Sequence, residues 1–179
     1  GVKLIDIGYL KRLKRAGLER VHFSFNGFDD NIYKKINGQR LLKDKLRALR
    51  NIKKIGISPT VSMMLVKGVN ENEIRKIYRY CLKNNHFIKR LRIRSSVPIG
   101  KYTEREYFYL SEVVKLVGNV IGVSQERLID HYLKKSAYYS GGNGSHMPCH
   151  LEIDLFSLLM EEIGLEHIGK SPIRTIQSV

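Results

Sequence analysis

Cysteine is scarce in this chain of 179 residues: Cys81 and Cys149 are the only two. They are too few for a disulfide framework or for a four-thiolate metal site. That usage points to a reducing, cytoplasmic setting. Long apolar runs are missing as well. No stretch of 18 apolar residues occurs, which excludes a membrane-spanning helix from the sequence, and no charged-then-apolar secretory start precedes the first helical stretch. Acidic side chains are also in deficit. There are 17 Asp and Glu against 32 Lys and Arg, a net charge of +15.

What remains is ordinary for a folded domain. Apolar residues make up 42% of the chain and charged residues 27%, enough for one sizeable core under a polar surface. The positive charge is unevenly placed: residues 1–105 hold 26 of the basic side chains and 8 of the acidic ones. A basic surface of that size suits phosphates, nucleic acid or anionic substrates. Equally, Lys11, Lys14, Arg15, Lys53, Lys54, Arg75, Lys76 and Arg79 fall between helical apolar positions, as a solvated ring of helix faces would.

Periodicity alternates between the two regular structures. Ile7, Leu10, Leu13 and Leu18 form a helical stripe with Gly17 as a stop. Val21-His22-Phe23-Ser24-Phe25-Asn26 alternates apolar and polar, as a strand does, and Gly27 ends it. A helix follows over 42–55, then a strand over 59–66 with Thr60 and Ser62 on one face. Asn70 and Glu73 have capping-box spacing ahead of a helix bearing Ile74, Ile77, Tyr78 and Cys81. A strand over 90–95 sets Leu91 and Ile93 against Arg90, Arg92 and Arg94. Thr103 and Glu106 repeat the capping-box spacing before a helix to about residue 117, and another helix spans about 125–135. This order predicts parallel strands with helices outside. The chain does not begin with a strand, and we expect it to be a piece of a longer protein. After the glycine-rich loop within 138–150, residues 151–156 alternate as a strand again.

Five segments in order carry a family likeness: Leu13–Gly27, Tyr33–Gly38, Leu65–Ile74 with its Lys67-Gly68-Val69-Asn70-Glu71 turn, Leu91–Gly100, and the opening Gly1–Leu4. Together they resemble the second half of the barrel of radical S-adenosylmethionine (radical SAM) enzymes. Phe25-Asn26-Gly27-Phe28-Asp29-Asp30 and Met147-Pro148-Cys149-His150 resemble its pterin-methylating and tetraether-lipid-synthase-like branch. The resemblance implies a partial TIM-type α/β barrel. Residues 1–105 would be the C-terminal part of that barrel, and 106–179 a C-terminal helical extension carrying the 138–150 loop. It implies S-adenosylmethionine as cofactor, 5′-deoxyadenosyl-radical chemistry on a small-molecule or lipid substrate, and an upstream half of the same barrel as partner. It also implies a [4Fe-4S] cluster whose C-x-x-x-C-x-x-C ligands lie upstream of Gly1. This chain lacks that motif and is expected to be inactive alone.

Candidate cofactor-binding residues follow from the resemblance and from strand alternation together. Ser24 and Asn26 share a strand face near its C-terminal end, where parallel strands place ligands, and Ser62 repeats that face on the next strand. Arg92 and Arg94 would meet a carboxylate or phosphate from a barrel mouth, or else discourage pairing at a sheet edge. Lys67 either meets an anionic group or is solvated. Asn70 either caps its helix or serves the cofactor. His146, Cys149 and His150 form the one His/Cys group, with Cys149 the candidate metal ligand. A basic nucleic-acid-binding or RNA-modifying domain is the competing reading of the charge, although no familiar RNA-binding signature occurs.

Overall fold

The computed structural model describes residues 2–96, 106–139 and 151–154. After a 3-10 turn at Val2–Ile5, the order is α1 (Ile7–Arg15), β1 (Arg20–Ser24), α2 (Asp30–Asn37), α3 (Leu42–Ile55), β2 (Ser58–Leu65), α4 (Glu73–Lys83), β3 (Arg90–Ser95), α5 (Leu110–Ile121), α6 (Gln125–Tyr139) and β4 (Leu151–Asp154).

Local chemistry explains most of the boundaries. Asp6 caps α1 by accepting from the N–H groups of Gly8 and Tyr9, and Asp29 caps α2 through the N–H of Asn31. Three helices, α2, α3 and α5, end at Gly38, Gly56 and Gly122, each in the left-handed conformation that glycine adopts without steric cost. The helix predicted to begin near Thr103 and Glu106 starts later, at Leu110. There the Glu112 carboxylate accepts from the N–H of Tyr109 at 2.7 Å; Thr103 lies outside the described residues.

The sheet order is β1-β2-β3-β4. The first three strands run parallel, as their spacing through helices requires, with Ser24 opposite Ser62 and Ser62 opposite Arg92. β4 pairs antiparallel with β3, Leu151 facing Ile93. Phe23, Val61, Met63, Leu91, Ile93, Leu151 and Ile153 join residues from α1, α3, α4, α5 and α6 in one buried core. The alternate positions of the same strands, His22, Ser24, Ser62, Arg92 and Arg94, are exposed or half-buried. One face of the sheet is thus packed under helices and the other is polar.

This architecture corrects the expectation of a partial TIM-type barrel. Barrel closure needs an unbroken parallel ladder of eight strands. Here three parallel strands form an open sheet and the fourth reverses direction, so the described residues form no closed barrel.

Candidate functional site

The C-terminal ends of β1 and β2 are joined by side chains rather than by strand pairing alone. Asn26 follows β1 and is buried; its Oδ1 accepts from the N–H of Met64 at 2.9 Å. Asn70, 1% exposed, makes three bonds. Its Oδ1 accepts from Val66 N–H at 2.8 Å, and its Nδ2 donates to the carbonyls of Met64 at 2.9 Å and Asn26 at 3.0 Å. It does not cap the following helix. That place belongs to Asn72, whose side chain makes no capping bond. The reason is competition: the turn after β2 buries Asn70 among main-chain carbonyls and an N–H that its amide bonds, and a buried amide must be satisfied.

The segment after β1 is held from two further directions. Tyr33 on α2 accepts from Asn26 N–H at 3.3 Å and donates its hydroxyl to the Gly27 carbonyl at 3.0 Å. Burial pushes the Tyr33 hydroxyl up to about 12, so it stays protonated and remains a donor. Glu73, buried at the start of α4, accepts from Phe28 N–H at 2.6 Å through Oε2 and from Lys76 at 2.6 Å through Oε1. Gly27 passes so close that a Cβ there would lie 2.7 Å from Ile32 Cδ1 and 2.9 Å from Glu73 Cγ.

On the polar face, Ser24, Ser62 and Arg92 stand in one row across three strands, and Arg94 occupies the next position along β3 beside Met64. Strands lie about 4.8 Å apart, so the row spans roughly 10 Å. A second row holds His22, Thr60 and Arg90. The structure therefore brings Ser24, Ser62, Arg92 and Arg94 onto one surface. Asn26 and Asn70 lie behind the strand ends as ties between them. Lys67 turns away to an exposed ion pair with Glu106 at 3.0 Å, and that bond raises its proton affinity. Cys149, His146 and His150 lie outside the described residues.

The site roles of three residues in this region were not read from the sequence, where Glu73 stood only as a capping-box partner. Tyr33 and Glu73 act on main-chain groups made adjacent by the fold, and spacing gives no hint of those partners. Lys45 donates to Ser24 Oγ at 2.7 Å. Its signal was present: it stands three residues after Leu42 and four before Leu49, inside the apolar stripe of α3.

Comparison with known proteins places this geometry in a family context. The radical SAM superfamily matches residues 3–81, a span containing β1, β2 and the ties between them, and this supports membership of that superfamily. The chain is 35% identical over 106 residues to the 7,8-dihydro-6-hydroxymethylpterin dimethyltransferase of Methanocaldococcus jannaschii, covering 59% of this chain and 21% of that protein. It is 28% identical over 131 residues to the GTP 3',8-cyclase of Thermodesulfovibrio yellowstonii, covering 72% of this chain and 38% of that protein. A probable GTP 3',8-cyclase of Methanosarcina mazei is 31% identical over 99 residues, 52% of this chain and 30% of that protein. The chain thus spans well under half the length of these curated relatives.

Two expectations are corrected here. The superfamily match lies in the N-terminal part of this chain, at 3–81, which overturns the expectation of a C-terminal barrel part over residues 1–105. The iron–sulfur expectation is not supported by this chain's own residues. Among the described residues no group of three or more His, Cys, Asp or Glu side chains could hold a metal ion. Cys81 is buried and its thiol is pushed up to about 12 by that burial, the opposite of what a thiolate ligand requires. With two cysteines in all, the chain does not contain a three-cysteine motif. No helix among the described residues is long and apolar enough to cross a membrane.

Proposed function

We propose that the polar sheet face and the C-terminal ends of β1 to β3 contribute to binding S-adenosylmethionine in a radical SAM protein. The row of Ser24, Ser62 and Arg92 carries this reading. Two hydroxyls and a guanidinium are aligned across parallel strands whose other face is fully packed. Hydroxyls suit ribose or carboxylate oxygens, and a guanidinium suits a carboxylate. When bound, the cofactor supplies the radical chemistry for which the superfamily is named. The protein's share is to hold it and exclude competing groups. Asn26 and Asn70 serve this surface from behind, fixing the strand ends against each other, while Arg94 extends it along β3. The substrate is a small molecule or lipid, and the setting is the cytoplasm.

The test is calorimetric titration of the chain with S-adenosylmethionine. Ser62→Ala is expected to weaken binding by about 1 kcal/mol, a lost hydrogen bond, whereas Arg75→Ala on the exposed surface of α4 leaves it unchanged. Equal losses in the two variants, or no binding by the unaltered chain, would overturn the reading.

A further inference from the structure

Lys45 is placed unlike any other basic residue described here. It stands within the apolar stripe of α3 and is 9% exposed. Its Nζ donates to Ser24 Oγ at 2.7 Å and lies 5.1 Å from the centre of the Phe23 ring. Phe23 and Ser24 are consecutive in β1, so their side chains point to opposite faces of the sheet. An amine that touches both stands beside β1, the first strand in the sheet order among the described residues. Lys45 therefore carries a charge from the helix layer to the polar face.

An ammonium can only donate. By occupying a lone pair of Ser24 Oγ, it directs the hydroxyl proton away from itself, and Ser24 is exposed. Ser24 thus presents an outward donor polarised by the cation behind it. Lysine is rarely buried unless paired. Among the described residues no carboxylate forms an ion pair with Lys45, and desolvation disfavours its charged form. A cation kept in that position, in the row that ends at Arg92, is complementary to negative charge lying on the sheet.

We propose that Lys45 and Ser24 form an anion subsite beside β1, taking a carboxylate or phosphate group of the ligand that lies across the polar face. The subsite rests on the reading of that face as a ligand surface. Ser24 touches the ligand oxygen, and Lys45 acts both through Ser24 and by its charge.

Titrating the full 179-residue chain with three probes tests this. S-adenosylmethionine carries a carboxylate; methylthioadenosine keeps the nucleoside and thioether without it; inorganic phosphate carries charge alone. Lys45→Met is expected to weaken binding of S-adenosylmethionine or phosphate about tenfold while methylthioadenosine changes less than about twofold, as loss of a charge-assisted contact predicts. Lys45→Arg restores most of the loss. Dependence on Lys45 for S-adenosylmethionine assigns the carboxylate, and for phosphate alone the phosphate. Ser24→Ala, at an exposed position outside the core, should reproduce the selective loss even if Lys45→Met folds poorly. Unchanged binding in both variants, or equal weakening of all three probes, overturns the subsite. Binding of S-adenosylmethionine and of phosphate that ignores Lys45 overturns the subsite alone. Lys45-dependent phosphate binding without S-adenosylmethionine binding overturns the cofactor reading alone and upholds the subsite. No binding of any probe overturns both.

Discussion

Asn70 donates its side-chain amide to the main-chain carbonyl of Asn26 at 3.0 Å, across 44 residues of sequence. The same amide group also bonds Met64 and Val66. One side chain therefore fastens the end of β1 to the end of β2 and to the turn beyond it.

Replacing Asn70 with Ala should cost about 3 kcal/mol of stability, since three buried bonds of about 1 kcal/mol each are lost and their main-chain partners are left unsatisfied. Asn72→Ala, at the helix cap whose side chain makes no capping bond, should cost less than about 0.5 kcal/mol. Urea unfolding of the two variants side by side checks the contrast. Similar losses would contradict the tying role of Asn70.

Gly27→Ala should destabilise the chain by about 1–3 kcal/mol through overpacking. The cause is contact with Ile32 and Glu73; Gly27 is not among the glycines with positive φ. A paired Ile32→Val substitution, which withdraws the nearer atom, should recover part of the loss in the same unfolding measurement.

Cys81 should resist alkylation in the folded chain. With its thiol pushed up to about 12 by burial, hardly any is thiolate at pH 8, and the thiolate is the nucleophile. In a Cys149→Ser background, iodoacetamide should label Cys81 only once denaturant unfolds the chain, as read by mass spectrometry. Labelling at native rates typical of an exposed cysteine would contradict the burial.

Lys45 should make stability depend on alkaline pH. Its folded proton affinity lies below the ordinary lysine value of 10.5 because burial penalises the ammonium. The unfolded chain therefore binds more protons in the window between the lowered value and 10.5, so this contribution to stability rises with pH there. Lys45→Met should be the more stable form at neutral pH, and its advantage should shrink as the pH approaches 10.5. Thermal unfolding across that range measures it. A binding residue that weakens the empty fold fits the usual exchange of stability for function.

Much of this fold was legible before any coordinates. The strands at 20–24, 58–65 and 90–95 announce themselves because one sheet face is buried and the other is not, which forces period-two alternation in Phe23-Ser24-Phe25 and in Leu91-Arg92-Ile93. The helices at 42–55 and 73–83 show clear stripes for the same reason. The short α2 went unread: its eight residues give a stripe too few turns to declare itself. Closure of the sheet could not be read either, because a strand such as Leu151–Asp154 shows its alternation but not its direction. At the site, the shared face of Ser24, Ser62 and Arg92 followed from alternation, and their reading as cofactor ligands from the family resemblance. The roles of Tyr33 and Glu73 did not, since their partners are main-chain groups of Asn26, Gly27 and Phe28 that any sequence would supply. Lys45 was the one departure from pattern that periodicity itself marked.

Parallel order also governs how this chain assembles. An antiparallel pair can zip up from its own turn, but β1 and β2 meet only after α2 and α3 have been laid between them. The contacts that fasten them join residues 38 and 44 positions apart. Such long closures must be completed before they are rewarded, which slows folding relative to helical bundles of similar size. The ties of Asn26 and Asn70, closing over such separations, are expected to form after the rate-limiting step. Variants there are expected to show their loss chiefly as faster unfolding.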